Sequence, residues 1–414
     1  MILLQIRARE GVVVRRFATG RAFLLLLSGL WTSIAPAEAS PYKITDLGGP
    51  DGRIASTVGL SLNERGQVAG AWAEDRPSSP SAAYESHPYF YDPTAGGKVT
   101  LPAVVSPSGG DPGGYDGRYL GHAFSGLDDA GRAVAGSRDG AVSFDSATGR
   151  FTDVAGPAGF LSNSGVMIGT KEVEPIGGWG NFVPVSSQDG RVSDLGLPPG
   201  AVGAQVQGIN DVGDVLVRAA MSPGEFNRYF VLSGSGGTWT DLGSSTGTAI
   251  NDQGVVAGNL GFDAQGRPSH AALIAPGGAT TDLGTLPGDA FSYAYGINNL
   301  GHAVGLSYAE NANWLYRGFL YRDGTMTNLN DLIDPASGWS IRWGLAINDR
   351  GQILALGVHD DREGVVLLTP DGLATSPDPV FPEMPETPVP EPSSLLVFGG
   401  LALGLGVAQR RRRA

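Results

Sequence analysis

One four-residue pattern, clearest as Asn298-Asn299-Leu300-Gly301, limits the folds open to this chain more than any other feature. It returns as NERG ending at Gly66, DDAG at Gly131, SNSG at Gly165, NDVG at Gly213, NDQG at Gly254 and NDRG at Gly351. An Asn, Asp or Ser at the first position of a turn bonds its own backbone two residues on, and Gly at the fourth accepts φ > 0. The first and last glycines lie 285 residues apart, which is 47.5 per interval. Short strands joined by such turns read as antiparallel β-structure, and no stretch of the unit has useful helical periodicity.

Two further motifs keep the same count. A short apolar run begins at Pro88, Ala141, Asn181, Arg228, His270, Arg317 and Gly364. A Thr-Asp-Leu-Gly stretch or a degenerate form of it falls at Asp46, near Thr100, and at Asp153, Asp194, Asp241, Asp282 and Asn328. A period of about 40–50 residues holding four short strands is the signature of a propeller blade. The motifs are out of phase: the chain opens on a Thr-Asp-Leu-Gly strand with no partner before it and ends on an apolar run with none after it. Pairing those two closes a ring and leaves no sheet edge at the seam. The expectation is an all-β, seven-bladed β-propeller closed by its N-terminal strand; counting the long first blade differently gives six or eight.

The unit from His270 to Gly305 resembles the HAF-type extracellular repeat, roughly H-A-F-L, T-D-L-G-x-L-G-G, then I-N-x-x-G-x-V-x-G. The resemblance covers about Tyr42 to Thr369 and is closest at His270–Gly305 and Arg317–Gly357. The copies at Asp128–Asp153 and Ser162–Asp194 depart most from it. It implies an extracellular setting and no particular chemistry.

The two ends read as addresses. Residues 1–39 hold Arg15, Arg16 and Arg21, an apolar core, and small residues at Ala37 and Ala39, the pattern of a secretory signal peptide cleaved after Ala39. The propeller occupies 40–374, and a Pro/Glu-rich linker at 375–389 reads as an extended stalk. In 390–414 follow Pro390, Glu391 and Pro392, an apolar stretch from Ser393 to Ala408, and Arg410, Arg411, Arg412 and Arg413. The apolar stretch reads as a transmembrane helix, slightly short of about 20 residues, with the arginines held on the cytoplasmic side. That order closely resembles the PEP-CTERM sorting signal of Gram-negative bacteria. The resemblance implies export across the inner membrane, processing near Pro390–Pro392 by an exosortase, and arrival at the cell surface or in the medium. The membrane is then met only through the tail.

Chemistry is harder to find. The sequence has no cysteine, which removes disulfides and thiolate catalysis. His87 and His270 stand where other copies carry Arg228 and Arg317, so they read as structural positions and not metal ligands. The repeated Asp of the Thr-Asp-Leu-Gly stretch reads as a turn former. No EF-hand, Walker or G-x-S-x-G pattern occurs. No catalytic residue, metal or cofactor is therefore expected. The net charge is −13, and with the positively charged ends set aside the remainder is −20, with only three lysines. Such a body is poorly matched to nucleic acid or anionic lipid.

Trp179, Trp339 and Trp343, beside glycines at loop or blade-end positions, are the candidate ligand contacts, because exposed aromatic rings there can stack on sugars. The expected function is a non-catalytic binding scaffold at the cell surface, with exosortase and the export machinery as partners and extracellular polysaccharide as ligand. Two alternatives stand beside it: a secreted polysaccharide hydrolase or lyase with carboxylates converging in the propeller funnel, and a structural envelope protein without ligand.

Overall fold

The seven turns fold as their chemistry demands. In the computed structural model their glycines (Gly66, Gly131, Gly165, Gly213, Gly254, Gly301 and Gly351) all have φ between 73 and 89°, and each turn links the first and second strands of a sheet. The structure describes residues 41–48, 57–74, 85–95, 97–100, 104–105, 126–136, 141–154, 159–176, 179–222, 225–234, 237–243, 245–261, 269–310 and 315–372. The signal peptide, linker and sorting tail expected at 1–39, 375–389 and 390–414 lie outside them. Among the described residues no helix is long and apolar enough to cross a membrane.

Seven antiparallel sheets follow one another along the chain. Blade 1 has strands Thr57–Leu62, Val68–Glu74, Glu85–Asp92 and Gly97–Thr100, and the insertion that lengthens its repeat adds Val104–Val105 against Glu85 and Ser86. Blade 2 runs from Gly126–Leu127 through Arg132–Gly136 and Ala141–Asp145 to Arg150–Val154, and blade 3 from Phe160–Leu161 through Met167–Ile176 and Trp179–Gln188 to Arg191–Asp194. Blades 4, 5 and 6 begin at Gly203–Ile209, Thr246–Ile250 and Phe291–Ile297 and end at Trp239–Asp241, Thr280–Gly284 and Thr325–Asn328. Two short 3-10 turns, Leu329–Asp331 and Pro335–Ser337, lead into blade 7. That blade takes only three strands from its own stretch: Ser340–Ile347, Ile353–His359 and Arg362–Pro370.

Its fourth strand is Tyr42–Asp46, paired antiparallel with the last one in the register Tyr42↔Pro370 to Asp46↔Val366. The phase mismatch of the motifs is thereby resolved as expected, and the fold is an all-β seven-bladed propeller. The apolar runs are the third strands of the blades, and the Thr-Asp-Leu-Gly stretches are the fourth.

Burial separates inner from outer strands. Val256–Asn259 is buried at every residue, whereas the outer strand Arg191–Asp194 is exposed at every residue. The hydrophobic core is seven clusters, one for each junction between successive blades. Ala69 and Phe90 meet Leu127 and Phe144 between blades 1 and 2, and Leu216 and Tyr229 meet Val256 and Ile274 between blades 4 and 5. At the seam, Leu354 and Leu367 of blade 7 meet Val68 and Tyr89 of blade 1, with Leu47 closing the cluster. Some strand pairs come too close for any side chain. A Cβ on Gly258 would lie 1.8 Å from Thr246 O, and one on Gly305 would lie 1.9 Å from Tyr293 O.

Leu47 is 1% exposed at the seam. Leu47→Ala is expected to lower unfolding free energy by about 2–5 kcal/mol. Leu300→Ala, at a position 63% exposed on a turn, should change it by less than about 0.5 kcal/mol. Urea denaturation of the two variants checks both.

Candidate functional site

The turns do more than reverse the chain. In the copy at Asn298, the side-chain Oδ1 accepts hydrogen bonds from Leu300 N at 3.1 Å and His302 N at 2.9 Å, which fixes the turn. The other end of the amide is then free to leave the blade: Asn298 Nδ2 donates to Asn348 O in the next blade at 3.0 Å. Asn210 reaches Asn251 O, Asn251 reaches Asn298 O, Asn348 reaches Asn63 O and Asn63 reaches Asp128 O, all at 2.8–3.0 Å. The series stops at Asp128 and Ser162, since a carboxylate has no N–H and a hydroxyl is too short. Asp128 instead holds Arg132 of its own blade, Nη2 to Oδ2 at 2.6 Å.

A second tier, one residue further on, runs round the whole ring. Glu64 N donates to Asp129 Oδ1, Asp129 N to Asn163 Oδ1, Asn163 N to Asp211 Oδ1 and Asp211 N to Asp252 Oδ1, at 2.7–2.8 Å. Asp252 N then donates to Asn299 Oδ1 at 2.8 Å, and Asn299 N to Asp349 Oδ1 at 2.7 Å. The circle closes where Asp349 N donates to both Glu64 oxygens, at 3.0 and 2.9 Å. Five carboxylates and two carboxamides thus stand side by side at one end of the propeller.

Repulsion among them is partly relieved. Asn163 Nδ2 bridges Asp129 and Asp211 at 2.7 Å each, and Asn299 Nδ2 bridges Asp252 and Asp349 at 2.9 and 3.1 Å. Glu64 has no carboxamide on either side. Burial, with the charges of Asp349 and Asp129, outweighs the Asp349 N–H and the nearby Arg350 and lifts its pKa from 4.5 to about 7. Asp211 is raised too, by burial first and by Asp252 and Asp129 beside it, against hydrogen bonds from Asn163. Among the described residues no group of three or more His, Asp or Glu has the geometry to hold a metal ion.

The inner strands of blades 6 and 7 carry an aromatic group. Tyr293 and Tyr295 of blade 6 have ring centroids 5.0 Å apart, and Tyr295 stacks with Trp343 of blade 7 at 6.4 Å and 26°. Tyr316 meets Trp343 edge-on at 5.8 Å and Tyr308 at 5.4 Å; Tyr308 meets Phe291 at 5.2 Å. Burial, with neighbouring phenols, pushes the Tyr295 hydroxyl well above the ordinary tyrosine range, and burial takes that of Tyr293 to about 12.

Of the three tryptophans singled out by sequence, Trp343 therefore lies inside an aromatic group. Trp339 stacks on His359 at 5.3 Å and closes over Gly364, where a Cβ would come within 2.6 Å of its ring. Trp179 opens a strand of blade 3, and its side chain lies outside the described residues, as do Ala37, Ala39, Pro390–Pro392 and Arg410–Arg413. The repeated Asp behaves as a turn former: Asp46, Asp241 and Asp282 each accept from the N–H two residues on, at 2.7–2.9 Å. The same carboxylates hold the basic residue of the neighbouring strand, Arg228 with Asp241 and His270 Nδ1 with Asp282 at 2.9 Å. Where Asn328 replaces the Asp, Arg317 pairs with Asp289 at 2.7 Å instead.

Sequence reasoning missed both tiers of the ring and the tyrosines. A signal for the second tier was present: the second turn position is Glu, Asp, Asn, Asp, Asp, Asn and Asp in the seven copies.

Comparison with known proteins bears on the tail. The PEP-CTERM protein-sorting motif matches residues 388–413. A motif of this kind implies export and sorting to the cell surface or exterior. No curated protein matches the chain. Among solved structures, it is similar to the acylaminoacyl peptidase of Pyrococcus horikoshii at 12% identity, covering 76% of this chain and 51% of that one, with a TM-score of 0.49. It is also similar to TolB from Acinetobacter baumannii, at 14% identity, 72% and 63% coverage and a TM-score of 0.37. The β-propeller domain of the trilobed protease from Pyrococcus furiosus matches at 11% identity, 68% and 100% coverage and a TM-score of 0.34. The chain spans about half the length of the peptidase and 63% of TolB. At these identities and scores nothing of those proteins' activity passes to this one.

The ring predicts a pH dependence. A carboxyl that binds its proton more tightly when folded stabilises the fold fully below its unfolded pKa, and the contribution is lost as pH rises through the folded value. For Glu64 that window runs from 4.5 to about 7. Glu64→Gln should match the parent at pH 4 and exceed it at pH 8 by on the order of 1–2 kcal/mol, the full shift being discounted for partial exposure. Denaturant titrations at the two pH values check it.

Proposed function

We propose that this chain is an exported binding scaffold, processed by an exosortase and displayed at the cell surface or released, which holds extracellular polysaccharide without cleaving it. One observation carries the non-catalytic part of the reading. The carboxylates that converge on the axis of the propeller each receive backbone or carboxamide N–H groups from neighbouring blades, so they serve to join blades. The sorting motif at 388–413 supports the extracellular setting. A matrix polymer is the ligand class that such a setting and an aromatic inner edge suit best.

A second reading, a polysaccharide hydrolase or lyase, is favoured by Glu64 alone. A carboxyl with a pKa of about 7 beside the carboxylates Asp349 and Asp129 resembles the acid of a glycosidase pair. Both of its oxygens, however, already face the Asp349 N–H.

A glycan array on the secreted protein, with reducing-sugar release measured on every glycan bound, separates the two readings. Binding without release is expected. Release that disappears in Glu64→Gln would establish the enzyme instead. For the tail, Glu391→Ala combined with Pro392→Ala is expected to leave the protein in the membrane fraction at its unprocessed mass, as read by immunoblot of fractionated cells. Normal processing of that variant would remove exosortase sorting from the proposal.

A further inference from the structure

The aromatic group at the inner edges of blades 6 and 7 stands apart from the clusters that join the blades. None of Phe291, Tyr293, Tyr295, Tyr308, Tyr316 and Trp343 belongs to the seven clusters between blades. Tyr293, Tyr295, Tyr308, Tyr316 and Trp343 are only partly buried. Tyr293 and Tyr295 sit mid-strand on the inner strand of blade 6, between Phe291 and the turn at Asn298. From there Tyr293 reaches across to blade 5, its Oη 3.3 Å from Thr246 Oγ1.

Two buried donors flank this group and find no acceptor among the described residues. On the blade 7 side it is Trp343 Nε1. On the blade 5 side it is Nδ2 of Asn259, a residue 0% exposed, whose Oδ1 accepts from the same Thr246 hydroxyl and from Gly261 N, each at 2.9 Å. A buried N–H without a partner costs about 1–3 kcal/mol, so two of them beside one set of rings call for an acceptor beyond the described residues, which a bound ligand would supply. Rings supply a flat apolar wall, and phenol, indole and amide supply hydrogen-bond donors. A sugar offers the complement, a C–H face with hydroxyl and ring oxygens at its rim. The negative charge of the body, −20 once the two ends are set aside, opposes a polyanionic chain.

We infer that Tyr293, Tyr295, Tyr316 and Trp343 form a binding subsite for an uncharged sugar unit along the inner strands of blades 6 and 7. This rests on the polysaccharide-binding reading above and gives it a place and a ligand class. Trp339, engaged with His359 and Gly364, is outside the subsite.

The test uses the secreted protein on an array carrying neutral oligosaccharides, among them cellohexaose and dextran fragments, and uronate oligomers. Trp343→Ala, Tyr295→Phe and Trp339→Phe are run beside the parent, with matched melting curves. Expected are binding to neutral glycans, a loss of at least tenfold in Trp343→Ala, a loss of several-fold in Tyr295→Phe, and no change in Trp339→Phe. Tyr295→Phe keeps the ring and removes only the hydroxyl, so it remains informative if Trp343→Ala fails to fold. Neutral-glycan binding that Tyr295→Phe and Trp343→Ala leave intact would overturn the subsite while the scaffold reading stands. Binding to uronates alone would overturn the ligand class, and binding to no glycan would remove both proposals together.

Discussion

A blade of this protein cannot be stable by itself. The buried apolar residues of its middle strands are covered by the neighbouring blades in the ring. Because burial of apolar surface is the main favourable term in folding, each sheet draws its stability from its neighbours. The seam decides the matter. Without Tyr42–Asp46 beside Arg362–Pro370, one sheet would expose a ladder of unpaired backbone groups and Leu47 would leave the cluster shared by blades 7 and 1.

Polar tethers reinforce the same geometry at one end. Hydrophobic clusters are non-directional and would tolerate some sliding of one blade over another. The hydrogen bonds from Asn63, Asn210, Asn251, Asn298 and Asn348 to the next blade's backbone permit only one register. The acidic tier adds a further bond at every junction, at the cost of bringing like charges together. Asn163 and Asn299 soften that repulsion where they occur, and at Glu64 burial first, with the charges of Asp349 and Asp129, raises the pKa. A perturbed carboxyl in a converging cluster is often a sign of catalysis. Here burial, together with the like charges of Asp349 and Asp129, supplies the physical reason for it.

Much of the architecture was legible in the chain because it repeats. The glycine of each turn signals a positive φ by its identity alone, and three motifs counted separately gave the number of blades and the need for a closing strand. The cross-blade bonds were hidden for a physical reason. An Asn at a turn is already explained by the bonds its Oδ1 makes locally, so nothing in the sequence shows that its Nδ2 goes elsewhere. Only the recurrence of acids and amides at Glu64, Asp129, Asn163 and their equivalents pointed beyond the turn. Tyr293 and Tyr295 were invisible for the opposite reason: they do not recur in the other copies, and their grouping with Trp343 depends on how blades 6 and 7 meet.

Pairing Tyr42 with Pro370 joins residues from the two extremes of the ring, and this has a consequence for how fast the molecule can form. The loop that must close spans nearly the whole domain. Its entropic penalty grows only slowly with length, but contacts of such long sequence separation are among the last to be rewarded, and rates fall as they dominate. Six blades can therefore be assembled while the seventh still lacks its outer strand. During that interval the edge of Arg362–Pro370 is open to any extended segment, including the first strand of another copy. Exchange of Tyr42–Asp46 between two chains is the misfolding route to which this topology is most exposed.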